Sequence, residues 1–230
     1  MERFSDSGRR AAPGRDDARS LRNEQLRDGE PDAAGRAGDD AGCVAQSKIH
    51  GWLAYPPMTT LLLVRHGETD WNAAGRLQGH TDRPLNEYGR RQARELAERL
   101  AGDGIQAVYA SDLSRARETA EILGARLGLE VVIDADLREK NWGSWEGLTS
   151  DERARVEFEG ESTEEHRERV LRAVQRIVEA HPGERVAVVT HGGSLRRIQA
   201  AVSGVALPVI DNCSVWALAH EEGRFRAVPS

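Results

Sequence analysis

The sequence predicts an α/β fold, a three-layer α/β/α sandwich with a mostly parallel central sheet. Two observations predict it. Short, continuously apolar runs rich in Val, Leu and Ile recur along the chain, and between them lie segments whose apolar residues repeat at three and four. A strand apolar on both sides must be covered on both sides, and amphipathic helices are what cover it.

The elements follow in order. "TLLLVR" (60 to 65) is the first strand. Ala93, Leu96, Ala97 and Leu100 then mark one buried helical face. "AVYAS" (107 to 111) is a second strand, and "SDLSRARETA" (111 to 120) runs from its end into a helix. "EVVID" (130 to 134) is a third strand. Val170, Val174, Ile177 and Val178 define another helix, opened by Ser162-Thr163-Glu164-Glu165, a capping box in which Ser162 and Glu165 satisfy each other's backbone donors. "RVAVVT" (185 to 190), "SVWALA" (214 to 219) and a last candidate at "FRAV" complete the sheet.

Residues 1–57 read differently. Arg, Asp, Gly, Ala and Ser dominate without periodicity, and such a segment buries too little apolar surface to offset its chain entropy, so it is expected to be a disordered N-terminal extension. Its nine Lys and Arg against ten Asp and Glu exclude a basic arm. Met58 follows Pro56-Pro57 directly before the first strand and is a candidate translation start, which would make the preceding residues an upstream extension.

The 230-residue chain has a formal net charge of -6, which gives no electrostatic footprint for nucleic acid. No window approaches a membrane span. Cys43 and Cys213 lie far apart in dissimilar contexts and read as unpaired thiols of a reducing compartment, with the cytoplasm as the expected location. A homodimer is left open.

In open α/β sheets, ligands bind beyond the carboxyl ends of the strands. Four features fall on that edge. Arg65-His66-Gly67-Glu68-Thr69 follows the first strand and His191-Gly192-Gly193-Ser194 follows "VAVVT", so two strands deliver two histidines to one rim. Arg115 falls in the first turn of its helix and leans back over the rim. The same helix start is expected to offer backbone donors to an anion. Finally, "LREKNWGSWEG" (137 to 147) carries Glu139 and Glu146, either of which is a candidate proton donor, with Trp142 and Trp145 as walls against water.

Together "LVRHGETDWN", "GRLQGHTDRPLNEYGRRQA", "YASDLSRARETA", "LREKNWGSWEG" and "VAVVTHGGSLR" resemble the histidine phosphatase superfamily, the branch of cofactor-dependent phosphoglycerate mutases and small-molecule phosphatases. The resemblance covers nearly everything from Met58 onward, so residues 58–230 are expected to form one phosphoglycerate mutase-like domain. It implies a phosphomonoester hydrolase for small phosphorylated metabolites, with no cofactor. No metal is required, and His50, His80, His166, His181 and His220 show no paired ligand spacing.

The implied roles are specific. His66 attacks phosphorus as a neutral imidazole, one ring nitrogen free and the other fixed by a backbone acceptor. Arg65, Arg115 and His191 hold the phosphoryl oxygens, His191 as a cation; Asn72 donates to the same oxygens, with Gln78 and the Gly192 amide as further contacts. Glu139 protonates the leaving alcohol and then activates water. Such convergence is needed because monoester hydrolysis is accelerated up to ~10²¹-fold, roughly 28 kcal/mol, while one charge-assisted hydrogen bond contributes about 1.5–3 kcal/mol.

Two alternatives stay open. Phosphoglycerate mutases carry a Glu-Arg-His-Tyr-Gly type of sequence where this chain has "EKNWGSW", which weighs against an isomerase. The segment 148–162 is shorter than the helical lid of typical relatives, so the pocket is expected to be open, which keeps a phosphoprotein phosphatase or phospho-ligand binding module in view.

Overall fold

The computed structural model describes residues 58–204 and 209–228. The expected extension over 1–57, with Cys43 and His50, lies outside the described residues. The first strand, β1 (Thr59–Arg65), is followed by a single turn, α1 (Asp70–Ala73), and then by α2 (Glu87–Leu100), β2 (Ala107–Ala110), α3 (Ser114–Leu127) and β3 (Val131–Ile133). Two 3₁₀ turns, Ala135–Leu137 and Gly143–Trp145, bracket the loop that carries Glu139. After α4 (Ser150–Arg153) come α5 (Thr163–Ala180), β4 (Arg185–Thr190), α6 (Gly192–Ser203), β5 (Val215–Glu221) and β6 (Arg224–Ala227).

The strands form one sheet in the order β3-β2-β4-β1-β5-β6. The first four run parallel, and β5 and β6 are added antiparallel. Successive side chains of a strand point to opposite faces, and β1 shows what that does here. Leu62 and Val64 join Ala93, Leu96 and Ala120 under α2 and α3, whereas Leu61 and Leu63 join Val174, Ile177 and Ile198 under α5 and α6. These are the two cores of a three-layer sandwich.

The expected capping box opens α5, with Ser162 Oγ accepting from the Glu165 amide at 3.1 Å and the Glu165 carboxylate accepting from the Ser162 amide at 2.9 Å. The expectation that every strand is covered on both faces fails at β3. Val132 and Ile133 are 48% and 45% exposed, because this three-residue strand lies at the sheet edge.

Candidate active site

The centre of the sheet sets the site. β1 and β4 are parallel neighbours with Arg65 paired to Thr190, so His66 and His191 are the first residues past a shared rung. The His66 amide donates to the Thr190 carbonyl at 3.0 Å, extending the ladder into the loop. The two rings meet edge to face, centroids 5.1 Å apart, and both are buried.

His66 Nδ1 lies 2.7 Å from the Gly67 carbonyl. A carbonyl only accepts, so Nδ1 carries the hydrogen and Nε2 keeps its lone pair. Burial, then Arg115 and Arg65, push the His66 pKa well below its ordinary value of 6.5. The ring is neutral, as the sequence reading expects. Its backbone is held from behind: Asn212 Nδ2 donates to the His66 carbonyl at 2.8 Å, and the Gly67 amide donates to Thr119 Oγ1 at 3.1 Å. Gly67 is required by close approach, since a Cβ there would sit 2.6 Å from the Gly89 carbonyl in the first turn of α2.

Arg115, in the first turn of α3, is almost fully buried and donates to the carbonyls of Gly79 and Thr81 at 2.7 and 3.2 Å. Burial pushes its pKa down to about 10, which leaves it a cation at neutral pH. Its Nε approaches His191 Nδ1 at 3.3 Å. A guanidinium only donates, so Nδ1 of His191 accepts and the ring hydrogen sits on Nε2, a buried atom with no partner among the described residues.

The cation expected at His191 concerns the transition state; in the structure burial first, then Arg115 and His66, drive its pKa well below 6.5 and leave the ring a neutral donor. The expectation that the start of α3 offers its backbone to an anion fails, because the Asp82 carboxylate already accepts from the amide and hydroxyl of Ser114 at 2.8 and 2.7 Å.

Of the two candidate carboxyls, only Glu139 reaches the cavity. Its carboxylate accepts from the Gly193 amide at 2.8 Å, in the first turn of α6, and from the Lys140 amide at 2.9 Å. Gly193 must lack a side chain, since a Cβ would lie 2.0 Å from Glu139 Oε1. Glu146 instead staples two loops, accepting from the amides of His80, Thr81 and Trp142 at 2.8, 2.8 and 3.1 Å. Arg169 of α5 fixes the Glu139 loop. It donates to the carbonyls of Asp136, Arg138 and Glu139 at 2.9–3.1 Å and to both carboxylate oxygens of Glu161. His80 Nε2 meets the Glu139 carbonyl at 3.0 Å.

The cavity, about 180 Å³, is lined by His66, Arg65, Asn72, Gln78, Arg115, Glu139 and Gly192 among others. His191 lies beneath it rather than in its lining. Asn72 Oδ1 is tied to Thr69 in a capping box, which leaves its NH₂ for the cavity. Arg65 donates to the Ile210 carbonyl through Nη1 and keeps a buried, unpartnered Nε. Gln78 Oε1 is likewise unpartnered among the described residues. Trp142 lines the cavity, but Trp145 stacks behind it and donates to the Val156 carbonyl. No residue of 148–162 lines the cavity; the outer wall is made by Arg76, Leu77, Trp142, Val209 and Ile210.

The sequence reading missed Arg76, Arg169, Arg196 and Asn212. It also set His166 aside, which proves to be buried under Glu139, with Nε2 3.0 Å from Ser194 Oγ and 3.9 Å from Glu139 Oε1. Chiefly by burial its pKa is lowered, so the approach to Glu139 is not an ion pair at neutral pH. Among the described residues, no cluster of His, Cys, Asp or Glu suits a metal ion, and no helix is long and apolar enough to cross a membrane.

The chain is 44% identical over 157 residues to "Phosphoglycerate mutase-like protein 4" of Arabidopsis thaliana, covering 60% of this chain and 68% of that protein. It is 43% identical over 160 residues to the "Metal-independent phosphoserine phosphatase" of the same plant, covering 61% and 67%. The solved structure of Bacillus stearothermophilus YhfR superposes with a TM-score of 0.69 at 37% identity, over 74% of this chain and 95% of that one. The family profile described as "Histidine phosphatase superfamily (branch 1)" matches residues 61–229, the span that carries both rim histidines, Arg115 and Glu139, and the chain belongs to that superfamily.

Proposed function

We propose that this chain is a metal-independent phosphomonoester hydrolase acting on small phosphorylated metabolites through a phosphohistidine at His66. The observation that carries the reading is the state of that ring: neutral, with Nδ1–H fixed on the Gly67 carbonyl, Nε2 free, and guanidinium groups beside it. An imidazole in this state is a nucleophile beside a phosphate-sized concentration of positive charge.

His66 Nε2 attacks phosphorus and the P–O bond to the alcohol breaks. Arg65, Arg115, Asn72 and the Nε2–H of His191 hold the phosphoryl oxygens, with Gln78 and the Gly192 amide as supporting contacts. Bound dianion would raise the His191 pKa, so any cationic character there is acquired with substrate. Glu139 gives its proton to the departing oxygen. Its carboxylate then takes a proton from water as that water attacks phosphorus, the P–N bond breaks, and phosphate leaves with His66 neutral again.

The 43% identity to a protein named a metal-independent phosphoserine phosphatase supports this reaction class. The 180 Å³ cavity favours small esters over a polypeptide. A cytoplasmic location is part of the proposal, and the free, buried thiol of Cys213 fits a reducing compartment. Rapid quench of turnover with a ³²P-labelled monoester should trap an acid-labile, base-stable adduct. Its absence from the native chain, or its survival in His66→Ala, would refute the mechanism.

A further inference from the structure

Among the described residues, Arg196 is a pocket-lining cation without an internal partner. Arg115 donates to two carbonyls, Arg65 to one, and Arg76 to the Gly147 carbonyl and the Glu152 carboxylate. Arg196 also lines the cavity, yet makes no hydrogen bond or ion pair among the described residues. It lies close enough to Arg65 to help lower that group's pKa, against the opposing pull of the Glu139 and Asp211 carboxylates, so two guanidinium groups share one part of the cavity. An anion bound between them would relieve their repulsion.

The helix explains where that anion would sit. Gly192 and Arg196 are four apart on α6 and share a face, and helical side chains lean back toward the N-terminus. Arg196 therefore starts one turn, about 5.4 Å, beyond Gly192 and projects back over a residue without a side chain. A Cβ at Gly192 would lie 3.5 Å from Arg65 Nε, so that bare surface adjoins the phosphoryl site.

The partners of the other guanidinium groups agree. Glu152 pairs with Arg76, the Glu139 and Asp211 carboxylates act on Arg65, and those of Glu139, Asp82 and Glu146 act on Arg115, whereas Arg196 has no ion pair among the described residues.

Resting on the phosphatase reading above, we propose that Arg196 is a specificity-determining residue that binds a carboxylate carried by the substrate itself, so that the preferred substrates are small phosphorylated carboxylic acids. Leu77, Trp142, Val209 and Ile210 close the outer wall around a short carbon skeleton.

The test compares phosphate release from 3-phosphoglycerate and from glycerol 3-phosphate, which has CH₂OH in place of the carboxylate, with phenyl phosphate as a third ester. The native chain should prefer phosphoglycerate in kcat/KM by about 10- to 100-fold, the range expected for one charge-assisted contact. Arg196→Gln should remove that preference, and Arg196→Lys, which keeps the charge without the fork, should retain part of it. Equal native rates for the first two esters, or an equal loss on both in Arg196→Gln, would overturn the inference while phosphatase activity stood. Phosphate release from none of the three would overturn the phosphatase reading and this inference with it.

Discussion

The floor of the cavity and its acid arm are held in different ways. His66 and His191 continue two paired central strands, and the His66 amide still bonds to the Thr190 carbonyl, so backbone ladders place them. Glu139 sits between two 3₁₀ turns with no strand or helix of its own. Side chains place it: Arg169 on three carbonyls, Glu161 on Arg169, and Glu146 across the neighbouring loops. Ladder bonds survive side-chain substitution and side-chain clamps do not. The arm can therefore be disabled while the floor stays formed, which separates the two halves of the proposed reaction.

Glu139→Gln is the strongest way to break the pair apart. The amide oxygen still accepts from the Gly193 amide, but the side chain can neither give a proton to an alcohol nor take one from water. Turnover of alkyl phosphates should fall by about 10²–10⁴. p-Nitrophenyl phosphate, whose leaving group needs no proton, should still phosphorylate His66 and then stall, giving a pre-steady-state burst with adduct accumulation. Equal losses for both esters and no burst would mean that floor and arm operate as one unit.

Arg169→Lys should act on the same arm more gently. Lysine keeps the charge, but its three donors from one atom cannot span three carbonyls and a carboxylate as the planar guanidinium does. The Glu139 loop would shift, and displacement of about 1 Å at a catalytic group costs about 10²-fold. The kcat for alkyl phosphates should fall by roughly 10- to 100-fold, with His66 phosphorylation by p-nitrophenyl phosphate nearly preserved and the circular dichroism spectrum unchanged. A parallel loss of adduct formation would show that the clamp also supports the floor.

The same contrast explains what the sequence could disclose. The floor is legible because its cause is local: an apolar run ends, a strand ends with it, and the next residues stand on the rim. Leu61 to His66 and Val186 to His191 each carry that information within about six positions. The choice between Glu139 and Glu146 depends on loops more than 50 residues apart meeting around Gly193 and His80. Arg169 looks like any charged residue beside an apolar helical face, since its three carbonyl acceptors lie about 30 residues away. Asn212 is 146 residues from the His66 carbonyl it supports, and only its place before β5 could have hinted at that edge. The neutral ring of His191 in the structure was not legible for a related reason: a cluster of cations was visible in the sequence, but the degree of burial was not.

Stability against pH offers the finest comparison. His66 and His191 are buried neutral, with pKa values well below 6.5, and His166 under the arm is lowered as well. In the unfolded chain each takes up a proton near pH 6.5; in the folded chain it does so only at lower pH. The unfolded state then binds more protons, so the contribution of these residues is intact above pH 6.5 and is lost as pH falls toward each lowered value. The loss approaches about 1.4 kcal/mol per histidine per pH unit. Arg115 and Arg65 lower both floor rings further, whereas Glu139 and Glu161 pull the His166 pKa back up. Denaturant unfolding between pH 6.5 and 5 should therefore lose more of its pH slope in His191→Gln than in His166→Gln. Equal changes would mean that the carboxylates of the arm do not reach His166, and that the clamp holding Glu139 is looser than its hydrogen bonds imply.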